Sequence, residues 1–211
     1  MPSVTRKRQG SRADRREEIR KKLLAVIERL LEEGESFTEI SVERMVSEAG
    51  VSRSTFYVYF EDKGDLLTAW FEEIRAELTE AAKEWWTLDA SATRDDVQRV
   101  LDNIVRTYQP HTVLMAATYD AAAYDANVRE LVTAMMRNNV AGLRRHIVAG
   151  QKGGFVAEGL IPTQTSGWLT WMAERGFHQL VRRASPAELE KLIEAYTDIV
   201  WNTLYAPARQ G

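Results

Sequence analysis

A helical rhythm running through nearly the whole chain is what most restricts its fold. From Ile19 the apolar positions Leu23, Val26, Ile27, Leu30 and Leu31 recur at three- and four-residue spacing. The same rhythm returns in Leu66, Leu67, Trp70, Phe71, Ile74, Leu78, Ala81 and Trp85. Residues spaced this way share one face of an α-helix, whereas a half-buried strand needs period-two alternation. No convincing alternation occurs, and the β-branched residues fall into the helical stripes. The expected fold class is all-α. A first helix runs to about Glu33 and stops at Gly34. Ser41 caps a short helix holding Val42, Met45 and Val46, Ser52 caps another, and Asp62 with Asp65 resembles a capping box opening a long helix over 63–86. Further helices are expected at about 94–107, 111–122, 126–149, 163–183 and 186–205. Pro110, Pro162 and Pro186 lie near their starts, where a missing amide is tolerated, and Gly150, Gly153 and Gly154 form the clearest break.

Charge is distributed unevenly. Acidic residues number 31 against 28 basic, a net charge of -3, which taken whole speaks against a nucleic-acid partner. Yet residues 1–22 hold Arg6, Lys7, Arg8, Arg12, Arg15, Arg16, Arg20, Lys21 and Lys22 against Asp14, Glu17 and Glu18. A basic arm, residues 1–14, thus precedes an acidic body. With no cysteine, disulfides, Cys-ligated zinc and thiol nucleophiles are excluded together. The longest stretch free of charged residues, Gly159 to Ala173, is short and interrupted by Pro162 and Gly167, so no membrane span is expected. No apolar run follows Arg6-Lys7-Arg8, so no secretion leader is expected and a cytoplasmic location is.

The informative segment is Ser41 to Phe60, SVERMVSEAGVSRSTFYVYF. Two short helices joined across Ala49-Gly50-Val51-Ser52 make a helix-turn-helix. Ala49 is small enough for close helix approach, Gly50 accepts the turn, and Val51 can plug the space between the helices. Phe56 and Phe60, four apart, anchor the second helix. Arg53, Ser54, Tyr57 and Val58 are left facing outward, with Thr55 and Tyr59 at the flanks. A helix this short offers its N-terminal residues to a major groove and its hydroxyls and cations to phosphates.

The run Ala49-Gly50-Val51-Ser52, then Thr55-Phe56-Tyr57-Val58-Tyr59-Phe60, then Lys63 and Leu66-Leu67, resembles the signature of the tetracycline-repressor (TetR) family. The aromatic stretch is similar to that of the family's ethionamide-resistance-repressor type, which has an apolar effector tunnel. The resemblance covers residues 15–70 and implies a three-helix DNA-binding domain over 15–62. A long helix would join it to a helical ligand-binding and dimerisation domain over 63–211. It also implies roles on matching positions. Thr55, Tyr57, Tyr59 and Lys63 would meet phosphates, with Lys63 at a helix N-terminus that favours anions. Arg53 and Ser54 would reach base edges, Arg53 bidentate to a guanine. Ser41 would cap its helix and touch phosphate, and Arg44 would add a phosphate contact. Glu43 should turn aside or pair with a cation. The basic arm, residues 6–16, would reach an adjacent minor groove or the backbone.

The remainder of the chain is rich in bulky apolar residues. An adaptable apolar cavity is expected there, lined by Leu101, Ile104, Tyr108, Tyr119, Met135, Met136, Asn139, Thr170, Trp171 and Trp201. Asn139 shares a helical face with Met135 and Met136, so its amide needs a partner from a ligand, a water or Thr170. The expected ligand is a small apolar effector with one or two hydrogen-bonding groups. No cofactor, metal or enzymatic activity is expected. His111, His146 and His178 lie on three different helices without metal-ligand spacing, and Gly150 to Gly154 is a helix end, not a phosphate loop. One short recognition helix reads few base pairs, so a homodimer on a palindromic double-stranded DNA operator is expected. The broad stripe Leu189, Leu192, Ile193, Tyr196, Ile199, Val200, Thr203 and Leu204 makes the last two helices the candidates for pairing. Two other readings stay open: a regulator without an effector, and a helical small-ligand carrier with a vestigial helix-turn-helix.

Overall fold

The computed structural model describes residues 11–209. Among them the chain forms nine α-helices and short 3-10 turns, with no strand. The helices are α1 (Arg12–Glu32), α2 (Val42–Glu48), α3 (Arg53–Tyr59), α4 (Lys63–Trp86), α5 (Arg94–Tyr108), α6 (Thr112–Ala121), α7 (Ala126–Lys152), α8 (Pro162–Gln179) and α9 (Pro186–Leu204). Proline stands in the first turn of both α8 and α9.

The start of α1 corrects the expected arm. The Ser11 hydroxyl accepts from the Asp14 amide at 3.1 Å, and the Asp14 carboxylate accepts from the Ser11 amide at 2.7 Å. This reciprocal cap begins the helix at Arg12, so residues 11–14 are cap and first turn. Arg12, Arg15 and Arg16 therefore project from a helix. The other cations of the expected arm, Arg6, Lys7 and Arg8, lie outside the described residues. A second correction falls at the end of α8, which stops at Gln179. Val181–Arg183 forms a separate 3-10 turn where one helix to 183 is expected.

The chain divides into two compact units inside α4, between Trp70 and Phe71, not at the start of that helix. In the N-terminal unit, α1 packs on α2 and α2 on α3. Leu23, Ile27, Leu30, Phe37, Ile40, Met45, Phe56, Phe60, Leu66 and Leu67 are all buried there. Because Leu66, Leu67 and Trp70 are buried side chains, the first two turns of α4 belong with this core.

In the C-terminal unit, α7 packs along α8 and α5 along α9, with α6 against α7 and α8. One apolar cluster joins Trp85, Val97, Val100, Leu101, Leu143, Ile147, Val156, Leu169, Val200, Leu204 and Tyr205. It contains a polar chain in which every donor has an acceptor. The Trp85 indole donates to the Tyr205 hydroxyl at 2.9 Å, that hydroxyl lies 2.7 Å from Nε2 of His146, and Nδ1 of His146 lies 3.1 Å from the Trp86 carbonyl. A neutral imidazole protonated on Nδ1 satisfies both neighbours, accepting from Tyr205 and donating to Trp86. Burial accordingly holds the His146 pKa below its usual value. Gly142, one turn earlier on α7, leaves room for the Trp86 ring, since a Cβ there would lie 2.6 Å from it.

Candidate functional site

The helix-turn-helix is built by short-range bonds that the sequence spells out. The Ser41 hydroxyl accepts from the Arg44 amide at 3.2 Å and so starts α2. Gly50 takes φ +63°, a left-handed conformation that glycine adopts without steric penalty, and the Val51 amide closes the turn onto the Val46 carbonyl at 2.9 Å. The Ser52 hydroxyl accepts from the Thr55 amide at 3.0 Å and starts α3. Phe56 and Phe60 are buried, which turns the opposite edge of α3 outward. Tyr57 and Val58 are about half exposed, Arg53 and Ser54 are exposed, and Thr55 and Tyr59 are partly covered. One edge thus combines four hydroxyl-bearing side chains, a guanidinium and an apolar residue.

Three of the cations expected at DNA are engaged within the protein. Arg53 pairs with Glu43 and lies 5.8 Å from the Tyr57 ring. Both members of that ion pair are largely exposed, so separating them costs at most about 1 kcal/mol. Arg44 bonds Glu48 at 2.9 Å and Glu35 at 2.6 Å, and Glu48 is shared with Arg29. Lys63 departs furthest from expectation. Its ammonium donates to the carbonyls of Phe37 at 2.7 Å, Thr38 at 2.9 Å and Ile40 at 3.0 Å. An ammonium has three protons, and all three are taken. The expected phosphate role for Lys63 is therefore corrected: it ties down the segment leading to Ser41, and desolvation lowers its pKa. Sequence position alone suggests the anion role, because the lysine sits at the head of α4.

The C-terminal unit holds an apolar cavity of about 90 Å³. Of the residues expected there, Ile104, Tyr108, Tyr119, Met135, Met136, Asn139 and Thr170 line it. Three do not. Leu101 is sealed in the cluster of α5, α7 and α9, because the N-terminal half of the α5 stripe packs there and only its C-terminal half reaches the cavity. Trp201 packs on Tyr205, with ring centres 5.5 Å apart, and is covered by the Arg209 guanidinium. Trp171 is 52% exposed on the outer side of α8, near Trp168 at 78%. Residues not assigned from sequence complete the wall, among them Leu78, Ala82, Trp85 and Trp86 of α4, Phe177 and Glu174 of α8, and Tyr196 of α9. The periodicity marks Leu78 and Trp85 as core, and a stripe does not say whether a core position borders a void. Glu174 carries no signal, because beside Arg175 it reads as a surface charge.

Two polar atoms of the wall, the Tyr108 hydroxyl and Oδ1 of Asn139, are buried without a protein partner. Thr170 borders the same cavity but does not bond Asn139. Burial raises the Tyr108 and Tyr119 pKa values, and it raises that of Glu174 against the opposing effects of Arg175 and the Tyr119 hydroxyl. Among the described residues no group of His, Asp and Glu is arranged to hold a metal.

The family models agree with both halves of this anatomy. The model described as "Bacterial regulatory proteins, tetR family" matches residues 23–70, and "Transcriptional regulator EthR, C-terminal domain" matches residues 97–206, more than half of the chain. The chain belongs to the TetR family, with a C-terminal domain of the EthR type. It is a DNA-binding transcriptional regulator. Among its relatives is the HTH-type transcriptional regulator EthR of Mycolicibacterium smegmatis, 26% identical over 90% of this chain and 87% of that protein. The fold is also that of the TetR-family regulator PfmR of Thermus thermophilus, with TM-score 0.71, 15% identity and coverage of 86% of this chain and 97% of the other. A TetR-family regulator from Rhodococcus sp. gives TM-score 0.68 at 20% identity over 89% and 98%.

Proposed function

We propose that the chain acts as a dimeric repressor that leaves a palindromic operator when a small apolar effector enters the cavity of the C-terminal unit. The observation that carries this reading is the composition of the cavity wall. Four of its residues, Leu78, Ala82, Trp85 and Trp86, belong to α4, which is one unbroken helix from Lys63, just after α3. A ligand wedged against those residues displaces the helix that follows the recognition helix. Two unpartnered polar atoms in an apolar wall are what a ligand with hydrogen-bonding groups would satisfy. Displacement releases DNA only if the effector binds the operator-free conformation more tightly.

On this reading Arg53 and Ser54 face the major groove, with Ser41, Arg44, Thr55, Tyr57 and Tyr59 beside the phosphates. Dimerisation falls to the outer faces of α8 and α9, where Trp168, Trp171, Met172, Leu180 and Ile199 are exposed. Clustered exposed apolar side chains of this kind mark an interaction surface, and pairing two helices from each protomer would cover them. No described helix is long and apolar enough to cross a membrane, and a regulator of this kind works in the cytoplasm, where its operator is.

The test is a titration of apolar compounds against operator binding, with direct binding followed by the fluorescence of Trp85 and Trp86. The expected result is operator release in step with ligand occupancy. A compound that fills the cavity while operator affinity stays constant would point to a regulator without an effector.

A further inference from the structure

The polar end of the cavity has a definite chemical bias. Glu174 is the one charged side chain on its wall, together with the Oδ1 acceptor of Asn139 and the hydroxyls of Tyr108, Tyr119 and Thr170. No Lys, Arg or His is among the lining residues. The Tyr108 hydroxyl and Asn139 Oδ1 are both buried and unpartnered, and Tyr108 is only 3% exposed. Arg175 and Arg182, whose charges reach Glu174 and Tyr108 respectively, are exposed and do not line the cavity.

A carboxylate on an otherwise apolar wall is costly unless something compensates it. Three kinds of ligand head group compete for this end. A carboxylate would meet a like charge and no cation. A neutral alcohol would satisfy Asn139 or Tyr108 but bring no opposite charge to Glu174. A protonated amine brings two or three N–H donors and one positive charge, matching acceptor for donor and charge for charge. Resting on the effector reading above, we propose that the effector carries a protonated amine on an apolar body, with the ammonium between Glu174 and Asn139 and the apolar part along Leu78, Met136 and Phe177.

Decylamine, decanol and decanoate share one chain length and differ only in head group, so they test the proposal at submicellar concentration. Affinity is read by calorimetry on the full-length protein and release by loss of operator binding. Decylamine is expected to bind at least about tenfold more tightly than decanol, the effect of one charge-assisted hydrogen bond, with decanoate weakest. In Glu174→Gln, decylamine should lose that advantage, decanol should bind as before, and operator affinity without ligand should stay at the wild-type level, which also shows that the variant folds. Wild-type protein that binds decanol or decanoate as tightly as decylamine overturns the proposal. So does Glu174→Gln protein that keeps the amine preference. Release by all three compounds without preference leaves the effector reading standing and removes only the amine, whereas binding without release, or no binding at all, counts against both.

Discussion

The ammonium of Lys63 shows how a single side chain changes its assignment once its neighbours are known. Lysine at a helix N-terminus invites an anion, yet its three N–H groups already meet three carbonyls of the segment before α2. Replacing it by methionine keeps the length and removes the donors. Lys63→Met is expected to lower stability by about 1–2 kcal/mol, the effect of leaving partly buried carbonyls unpaired, as measured by urea unfolding. The salt dependence of operator binding should keep its slope, since loss of a true phosphate contact would reduce it by about 1. His146 gives a second prediction at this scale. Its folded-state pKa lies below the usual 6.5, so the unfolded chain takes up a proton before the native one. The stabilisation is therefore complete above about pH 6.5 and is lost as pH falls below it, by up to about 1.4 kcal/mol per pH unit. His146→Gln should flatten that part of the stability–pH curve in chemical denaturation, and an unchanged curve would remove His146 as the cause.

At the scale of elements, α1 and α8 are the instructive helices. The capping box of Ser11 and Asp14 is a sequence-readable signal, but the apolar stripe starting at Ile19 draws the helix boundary inward. The corrected boundary refines what the basic N-terminus does. Removing residues 1–10 takes away Arg6, Lys7 and Arg8 while sparing the Ser11 cap. It is expected to lower the slope of log K against log salt for operator binding by up to about three, with no change in preferred operator sequence. An unchanged slope in salt titrations would exclude the arm from phosphate contact. Helix α8 is apolar on two sides. Leu169, Thr170, Ala173 and Phe177 face the protein interior, while Trp168, Trp171 and Met172 face outward. Apolar side chains on both sides blur the periodicity, which is why Trp171 is expected in the cavity.

For the whole molecule, the outward side of α8 and α9 sets the prediction. Trp168 makes little contact within its own protomer, so Trp168→Lys should leave the monomer fold intact. Self-association is expected to weaken by about 2 kcal/mol or more, as for an aromatic anchor in an interface, and operator affinity should fall with it. Light scattering coupled to gel filtration checks the first effect and gel-shift titration the second; a variant that remains dimeric would move the interface elsewhere.

What the sequence determined by itself is whatever depends on neighbours within about five residues. The helices follow from stripes at three- and four-residue spacing, and their starts from Ser41, Ser52, Thr93 and Ser185, whose hydroxyls accept amides three positions on. The turn at Gly50 and the outward edge of α3 follow from the same local rules, and the DNA-binding reading rests on the family resemblance that this same local run carries. Tertiary structure alone decided which buried positions border empty space, which outward residues stand uncovered, and which charges are already engaged. Lys63 meets carbonyls more than twenty residues away, Glu174 reaches a cavity walled by α4 to α9, and Trp85 bonds Tyr205 across 120 positions. A stripe of apolar residues marks a face to be buried, but what lies against that face is set by chain segments far away in sequence, and periodicity carries no information about them.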